Sequence, residues 1–419
     1  MDTKSSFLTL LGLSTIIPGM VSCKNQSSER PNIVYIMSDD HSFQTISAYG
    51  GPLAKLAATP NIDRIAEEGV RFDRCFVTNS ISGPCRATVL TGKYSHRNGF
   101  LDNMSRFDSS QVTFPKILQK AGYQTAMIGK WHLVSEPTGF DFWNILPGQG
   151  DYYNPVFIDP SGQTKESGYT TDIITEKALQ WLKTAKESGK PFMVMMHHKA
   201  PHRAWDPGPN ELGMYENITF PEPLTLFDDY SNRGLAELNQ RMTIARHMTL
   251  EWDLKMTSVP RRGLDSVQLN KWNAVYRPVL EQFNTSGLSG DELTRFKYQR
   301  YMRDYLSCIA AVDKSVGKIL DYLAESGLEK NTIVVYTSDQ GFYMGEHGWF
   351  DKRWMFEESY RTPLLVQWPG LTAPGSVNND IVSNIDLAET FLEMAGVEVP
   401  EDMQGRSMVP VLKGKTPRN

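Results

Sequence analysis

The sequence is poor in cysteine, carries no long hydrophobic run and has no marked excess of charge of one sign; each shortage excludes something. Of four cysteines, Cys23 lies in the N-terminal segment, which leaves Cys75, Cys85 and Cys308. An odd number without metal-ligand spacing argues against a disulfide framework or a cysteine zinc site. The 43 basic and 48 acidic residues give a net charge of −5, so no basic footprint for a nucleic acid is present. An anionic ligand must be met by local cations instead. The apolar run from Phe7 to Val21 is interrupted by Gly12, Pro18 and Gly19 and is too short to span a bilayer.

With Lys4 before that run and a polar stretch after it, residues 1–22 read as an export signal and 23–30 as a linker. Met20-Val21-Ser22-Cys23 resembles a loose lipobox with Cys23 as the lipidated residue, and simple cleavage near Ser22 is the other reading. Both place the mature protein in the periplasm or anchored at the outer membrane as a lipoprotein.

At 419 residues and 40% hydrophobic content, the chain can bury a large core. Apolar, β-branched runs at Pro31–Ser38, Tyr123–Gly129, Pro191–His197 and Asn331–Ser338 read as buried strands, and Arg361–Pro369 as a fifth. Helical spacing covers Thr59–Gly69, Phe114–Ala121, Thr170–Glu187, Asp291–Glu325 and Ser383–Ala395. The alternation predicts an α/β fold, a large mostly parallel sheet sandwiched by helices. Gly139–Tyr153 reads as an aromatic, glycine-rich loop, either contacting sugar or packed on the surface. Residues 204–290 are rich in proline and asparagine and read as a lid-like insertion, with some helix around Leu235–Leu254.

The polar residues that end the strands carry the chemistry. Asp39-Asp40 and Asp339-Gln340 are two adjacent pairs of oxygen-bearing side chains, which suit a hard divalent cation such as calcium rather than zinc. Lys130 and His132 stand at i and i+2 beyond another strand and share a side in extended chain. His198-Lys199-Ala200-Pro201-His202-Arg203 gathers basic groups beyond a third. In Thr78–Gly92, Ser82 precedes Pro84 and Arg86 where a loop turns into a helix. Pro84 suits the first helical position, so the positive end of the helix dipole would face Ser82 and any anion beside it.

Ser82-x-Pro84-x-Arg86 followed by Leu90-Thr91-Gly92, together with Gly129-Lys130-Trp131-His132 and Gly345–Lys352, resembles the signatures of the type I sulfatases of the alkaline phosphatase superfamily. That resemblance implies that Ser82 is oxidised to formylglycine. Relative to the family's commonest form, Ser82 and Cys85 are exchanged; Cys85 is no alternative, because Val89 rather than Arg follows it by four. A serine-type radical maturase is then an implied partner. The resemblance further implies calcium bound by Asp39, Asp40, Asp339, Gln340 and the residue at Ser82. Arg86, Lys130 and Lys352 would hold sulfate, His132 would help break down a covalent intermediate, and His202 would protonate the leaving oxygen. Arg203, His347, Asp351 and Arg353 are candidate substrate contacts or supports. The catalytic domain would span 31–410, with 411–419 the truncated start of a C-terminal antiparallel subdomain. Within the family the sequence looks most like bacterial N-acetylglucosamine-6-sulfatases acting on heparin- or heparan-type glycosaminoglycan fragments. Another carbohydrate sulfatase, a phosphonate or phosphodiester hydrolase, and a non-catalytic sulfated-glycan binder with unmodified Ser82 remain alternatives.

Overall fold

The fold grows outward from one strand, β1 (Asn32–Ser38), all of whose side chains are buried. Alternate side chains of a strand face opposite ways, and here each face meets its own core. Val34 and Ile36 pack with one cluster, Ile33, Tyr35 and Met37 with the other. That is why the strand reads as an unbroken apolar run rather than an alternating one. The computed structural model describes residues 1–2 and 30–415; the export signal from residue 3 onward, Cys23, most of the linker and residues 416–419 of the expected C-terminal segment lie outside the described residues.

Chain order continues with α1 (Pro60–Glu67), β2 (Val70–Phe72), α2 (Ser82–Thr91), α3 (Phe114–Lys120), β3 (Gln124–Lys130) and β4 (Phe142–Leu146). The hairpin β5 (Val156–Asp159) and β6 (Gly162–Lys165) follows, then α4 (Thr170–Glu187) and β7 (Phe192–His197). The insertion contributes α5 (Ser266–Ser286) and leads into α6 (Gly290–Glu325), 36 residues long. Last come β8 (Thr332–Ser338), β9 (Leu364–Gln367), β10 (Ser376–Asn378) and α7 (Leu387–Met394). The ten-stranded sheet runs β10-β2-β9-β8-β1-β7-β3-β4-β5-β6. Its centre, β8 to β4, is parallel, and β9 and β5 pair antiparallel with their neighbours. Side chains of α1, α4 and α6 fill one core, those of α2, α3 and α7 the other. The expected mostly parallel sheet between two helical layers is what the chain forms.

Three local expectations need correction. The helix after the loop begins at Ser82, not Pro84; the proline is tolerated two residues in, because first-turn N–H groups have no intrahelical acceptor. The supposed loop at Gly139–Tyr153 contains β4, paired in parallel with β3. In the insertion, only Leu235–Asn239 of the expected helical stretch is helical, while the 21-residue α5 went unforeseen. Pro278 inside α5 reads as a breaker, yet Asp265 and Gln268 form a capping box that marks its start.

At the end of α2 away from Ser82, the chain beyond α7 closes on the helix. Gln404 N–H donates to the carbonyl of Gly92 at 2.7 Å, and Gly405 N–H donates to Glu389 Oε1 at 2.7 Å. Glu389 is 2% exposed and its Oε2 has no partner. Burial pushes its carboxyl from the ordinary 4.5 to about 7. A raised folded-state pKa means that the native protein binds more protons than the unfolded chain between those values, so stability present below pH 4.5 is lost as pH rises towards 7. Glu389→Gln is expected to be more stable than the parent above pH 7 by up to about 3 kcal/mol, with no gain near pH 4.5. Denaturant unfolding at the two pH values measures the difference.

Candidate active site

Parallel neighbours β1 and β8 are in register to their last residues, Ser38 opposite Ser338. The next residues of each, Asp39-Asp40 and Asp339-Gln340, therefore leave the sheet side by side and fully buried. Asp40 N–H donates to Asp339 Oδ1 at 3.0 Å. One oxygen from each of Asp39, Asp40 and Asp339 lies within 4.8 Å of the others. Three carboxylates this close cannot stay ionised in low dielectric without cations.

The chain supplies three cations from three places. Lys130, at the end of β3, pairs with Asp39. Lys352 pairs with Asp40. Arg86, one turn into α2, donates from Nη2 to Asp339 Oδ2 at 2.9 Å and lies 3.5 Å from Asp39 Oδ1. Burial drives the Asp39 carboxyl upward, but Lys130, His202 and Arg86 overcome it and hold it well below the usual range. Asp339 goes the other way, pushed up to about 7 by burial and by the Asp39 charge. Burial and Asp39 also raise Asp40 despite Lys352, and burial lowers Lys130 to about 8 against the pull of Asp39.

Ser82 opens α2 and faces this cluster. Its hydroxyl donates to Asp39 Oδ1 at 3.1 Å, and Gln340 Nε2 lies 3.4 Å from its Oγ. The same Nε2 donates to Asp40, while Gln340 Oε1 is buried without a partner. Gly83 N–H donates to Asn103 Oδ1 at 2.9 Å, which satisfies one of the free amides at the helix start. His197, the last residue of β7, sits behind Arg86, with Nδ1 3.2 Å from Nη1; burial and Arg86 keep it neutral.

Of the histidines expected here, His202 approaches Asp40, with Nε2 3.8 Å from Oδ2. Its Nδ1–H donates to the carbonyl of Arg203 at 2.7 Å, leaving Nε2 as the free lone pair. Burial and Lys130 hold its pKa well below the usual value. His132 is near enough for Lys130 and Arg86 to act on it after burial, which together bring it to about 3. The stated reason for its placement needs correction, however. Its φ is +60°, so the chain turns past Lys130 and the alternation of an extended strand does not apply.

The four candidate substrate residues stand farther out. Arg203 is clamped in a two-point pair by Asp253, at 2.5 and 2.7 Å, and lies over Trp252 and Phe350. His347 is turned to Asp228, 3.3 Å away, and packs against Phe356 and Trp349. This joins the insertion to the core rather than entering the acid cluster. Asp351 and Arg353 pair with each other at 2.6 Å, half of the Arg353 side chain being exposed. Gln149, which stands in the sequence within the Gly148-Gln149-Gly150 stretch of the aromatic, glycine-rich loop and carries no role there, accepts from Lys130 through Oε1. Asp40, His132, His347, Asp351 and Arg353 all have left-handed backbone, and such strain gathers where a site over-determines the chain.

A family model described as Sulfatase matches residues 31–397. The chain is 51% identical to an N-acetylglucosamine-6-O-sulfatase of Bacteroides thetaiotaomicron, an alignment that covers 99% of this chain and 77% of that one. It is 28% identical to an N-acetylglucosamine-6-sulfatase of Capra hircus, over 94% of this chain and 66% of the relative. A solved structure of a protein with its substrate D-glucosamine-2-N,6-O-disulfate superposes with a TM-score of 0.90 at 51% identity, covering 93% of this chain and 82% of the other.

Arg86→Met would leave two buried carboxylates without their shared guanidinium. A loss of about 3–5 kcal/mol is expected, read from denaturant unfolding against an Arg86→Lys control, which keeps the charge and should lose less.

Proposed function

The chain belongs to the sulfatase family and is a sulfuric ester hydrolase acting on a carbohydrate sulfate ester, and we propose that this ester is the 6-O-sulfate of a glucosamine unit in heparin- or heparan-type glycosaminoglycan fragments. The observation that carries this reading is the meeting of Ser82, three carboxylates and three cations beyond the strand ends, in a chain half identical to a glucosamine 6-O-sulfatase.

The residues fit a calcium ion. Their donors are carboxylates and an amide, and Gln340 Oε1 is a buried oxygen without a partner beside them. Asp39, Asp40, Asp339, Gln340 and the residue at Ser82 would hold the ion, which would supply positive charge to a sulfate oxygen. They fit the oxidised serine as well. The hydroxyl of Ser82 is a weak nucleophile whose nearest carboxylate, Asp39, is kept ionised by Lys130 and so is a poor base. Formylglycine at Ser82 would supply, as its hydrate, a more acidic attacking hydroxyl and a second one for release.

The chain's own groups do the rest. Arg86, Lys130 and Lys352 now neutralise carboxylates and are the cations that bind and orient a sulfate, an effect strongest where water is excluded. His202 offers Nε2 for the proton that goes to the departing alcohol oxygen. Burial, Lys130 and Lys352 oppose a proton there and Asp39 favours it, with Asp40 3.8 Å away, so an anion that neutralises the two ammonium groups makes His202 a better acid site. His132, neutral and with Nδ1 unpartnered, is available to hydrogen-bond at the attacking group. A serine-type radical maturase is the partner this chemistry requires, and the N-terminal segment fits export to the periplasm or an outer-membrane lipid anchor at Cys23.

Protein made with such a maturase should lose two hydrogen atoms at Ser82 in a peptide covering residues 75–93. It should release sulfate from N-acetylglucosamine 6-sulfate and not from the 3-sulfate, and Ser82→Ala should lower the rate by at least about 10³-fold. Hydrolysis of phosphonate or phosphodiester substrates alone, or sugar binding without turnover by oxidised protein, would overturn the reading. Calcium at about a hundred times its Kd should stabilise the fold by about 2.7 kcal/mol. Asp339→Asn should remove most of that response in a thermal unfolding series.

A further inference from the structure

Among the described residues, no carboxylate lies within 4.0 Å of one buried cation at the edge of the site. Lys199 is 5% exposed, and its Nζ has one carbonyl partner, Gln149 at 3.2 Å, and lies 4.7 Å over the Tyr152 ring. Buried Lys130, Lys255 and Lys352 each hold an aspartate, and Lys297 holds two carbonyls. An ammonium has three donors, and burying its charge without a counter-ion is costly. With one donor on the Gln149 carbonyl and the ammonium over the Tyr152 ring, Lys199 keeps donor capacity for an anionic ligand.

Beside it is a cavity of about 800 Å³ that Lys199 lines together with Arg203 and the insertion. Pockets of about 300–1,000 Å³ suit ligands larger than a single small group. Arg262 and Arg277 stand exposed on its wall with no carboxylate partner among the described residues. Acids line it too, but Asp206 is taken up by Arg261, and Asp151, Glu251 and Glu281 are exposed, where water screens them. The buried, under-partnered charge is positive. It is also tied to the acid cluster: Lys199 bonds the backbone oxygen of Gln149, and Lys130 bonds the side-chain oxygen of the same residue.

We propose that Lys199 binds a second anionic group of the substrate, distinct from the sulfate that is cleaved, with the cavity holding the sugar that bears it. The inference rests on the glucosamine 6-O-sulfatase reading. The shared chemistry is a sulfo or carboxylate oxyanion, and its source is either an N-sulfo group on the same glucosamine or a uronate on the adjoining sugar.

Ligands without the 6-sulfate make the test independent of turnover. N-sulfoglucosamine, N-acetylglucosamine and a uronate-linked N-acetylglucosamine disaccharide are titrated into the parent protein, Lys199→Met and Lys199→Arg, and sulfate release is measured from the three 6-sulfated counterparts. One anionic ligand should bind at least about tenfold more tightly than N-acetylglucosamine, as a charge-assisted hydrogen bond predicts. The ligand that shows the advantage identifies the source. Lys199→Met should bring the ratio to about one, and Lys199→Arg, which keeps a cation, should retain most of it. No preference in the parent protein, or a preference that survives Lys199→Met, overturns the proposal. If the Met variant does not fold, Lys199→Gln takes its place, with a ratio of about one expected and a surviving preference overturning the proposal. Preference without sulfate release would sink the sulfatase reading and leave the subsite standing; sulfate release without preference would do the reverse.

Discussion

Everything at the catalytic face follows from burying Asp39, Asp40 and Asp339 within 4.8 Å of one another. Carboxylates so placed repel, and removing them from water deepens the cost. The fold therefore needs positive charge brought in from outside the two strands that carry them. Arg86 comes from the start of α2, Lys130 from the end of β3, and Lys352 from the segment after β8. Each is itself buried, so each would be as costly alone as the acids are. The six charges are mutually required, and that requirement fixes where α2 and β3 meet the sheet.

A parallel sheet makes this meeting natural. Its strands all end on one side, and β1, β8, β3 and β7 each release polar residues there. The backbone turns at once after the strands, with left-handed residues at Asp40 and His132. Gly129, with φ +100°, lies against the carbonyl of His197, where a Cβ would have no room. That contact lets β3 and β7 draw together and brings the Lys130 carbonyl and His197 Nδ1 onto the same Arg86 nitrogen, Nη1.

The strand ends were legible because their signal is local. An apolar run of strand length followed by Asp-Asp, Asp-Gln or Lys-Trp-His states the element and the end at which polar side chains leave it, though not the turn that aims His132. α6 was legible for the same reason, its apolar residues recurring over 36 positions. What could not be read depends on distant partners. β4, β5 and β6 look like turns because their residues gain strand geometry only from pairing on β3 and on each other. α5 hides behind Pro278 and few buried residues, Trp272 and Tyr276. The clamping of Arg203 depended on Asp253, and the contact of Lys130 with Gln149 on the course of the chain between them. Neither partner lies near enough in sequence for spacing to reveal the pair.

The insertion looks like a lid in sequence, yet its buried charges tie it down. Lys255 donates to Asp304 at 2.9 Å and to the carbonyls of Ala204 and Trp205, and Tyr276 of α5 donates to the same aspartate at 2.9 Å. Arg300, one turn earlier on α6, donates to Asp304 at 2.6 Å. The next residue along, Tyr305, donates to the carbonyl of Asp40 at 2.6 Å and accepts from Ser42 N–H at 2.8 Å. Two adjacent side chains of one helix thus hold the cavity wall on one side and the acid-bearing loop on the other. A buried charged network has few alternative arrangements, because a partly satisfied one costs more than none. Distance between cavity and acids is therefore set by α6, the longest helix of the core, rather than by the loops that line them. A substrate gripped in the cavity would meet the reacting groups at a fixed reach, which is how remote binding is converted into orientation at the bond that breaks.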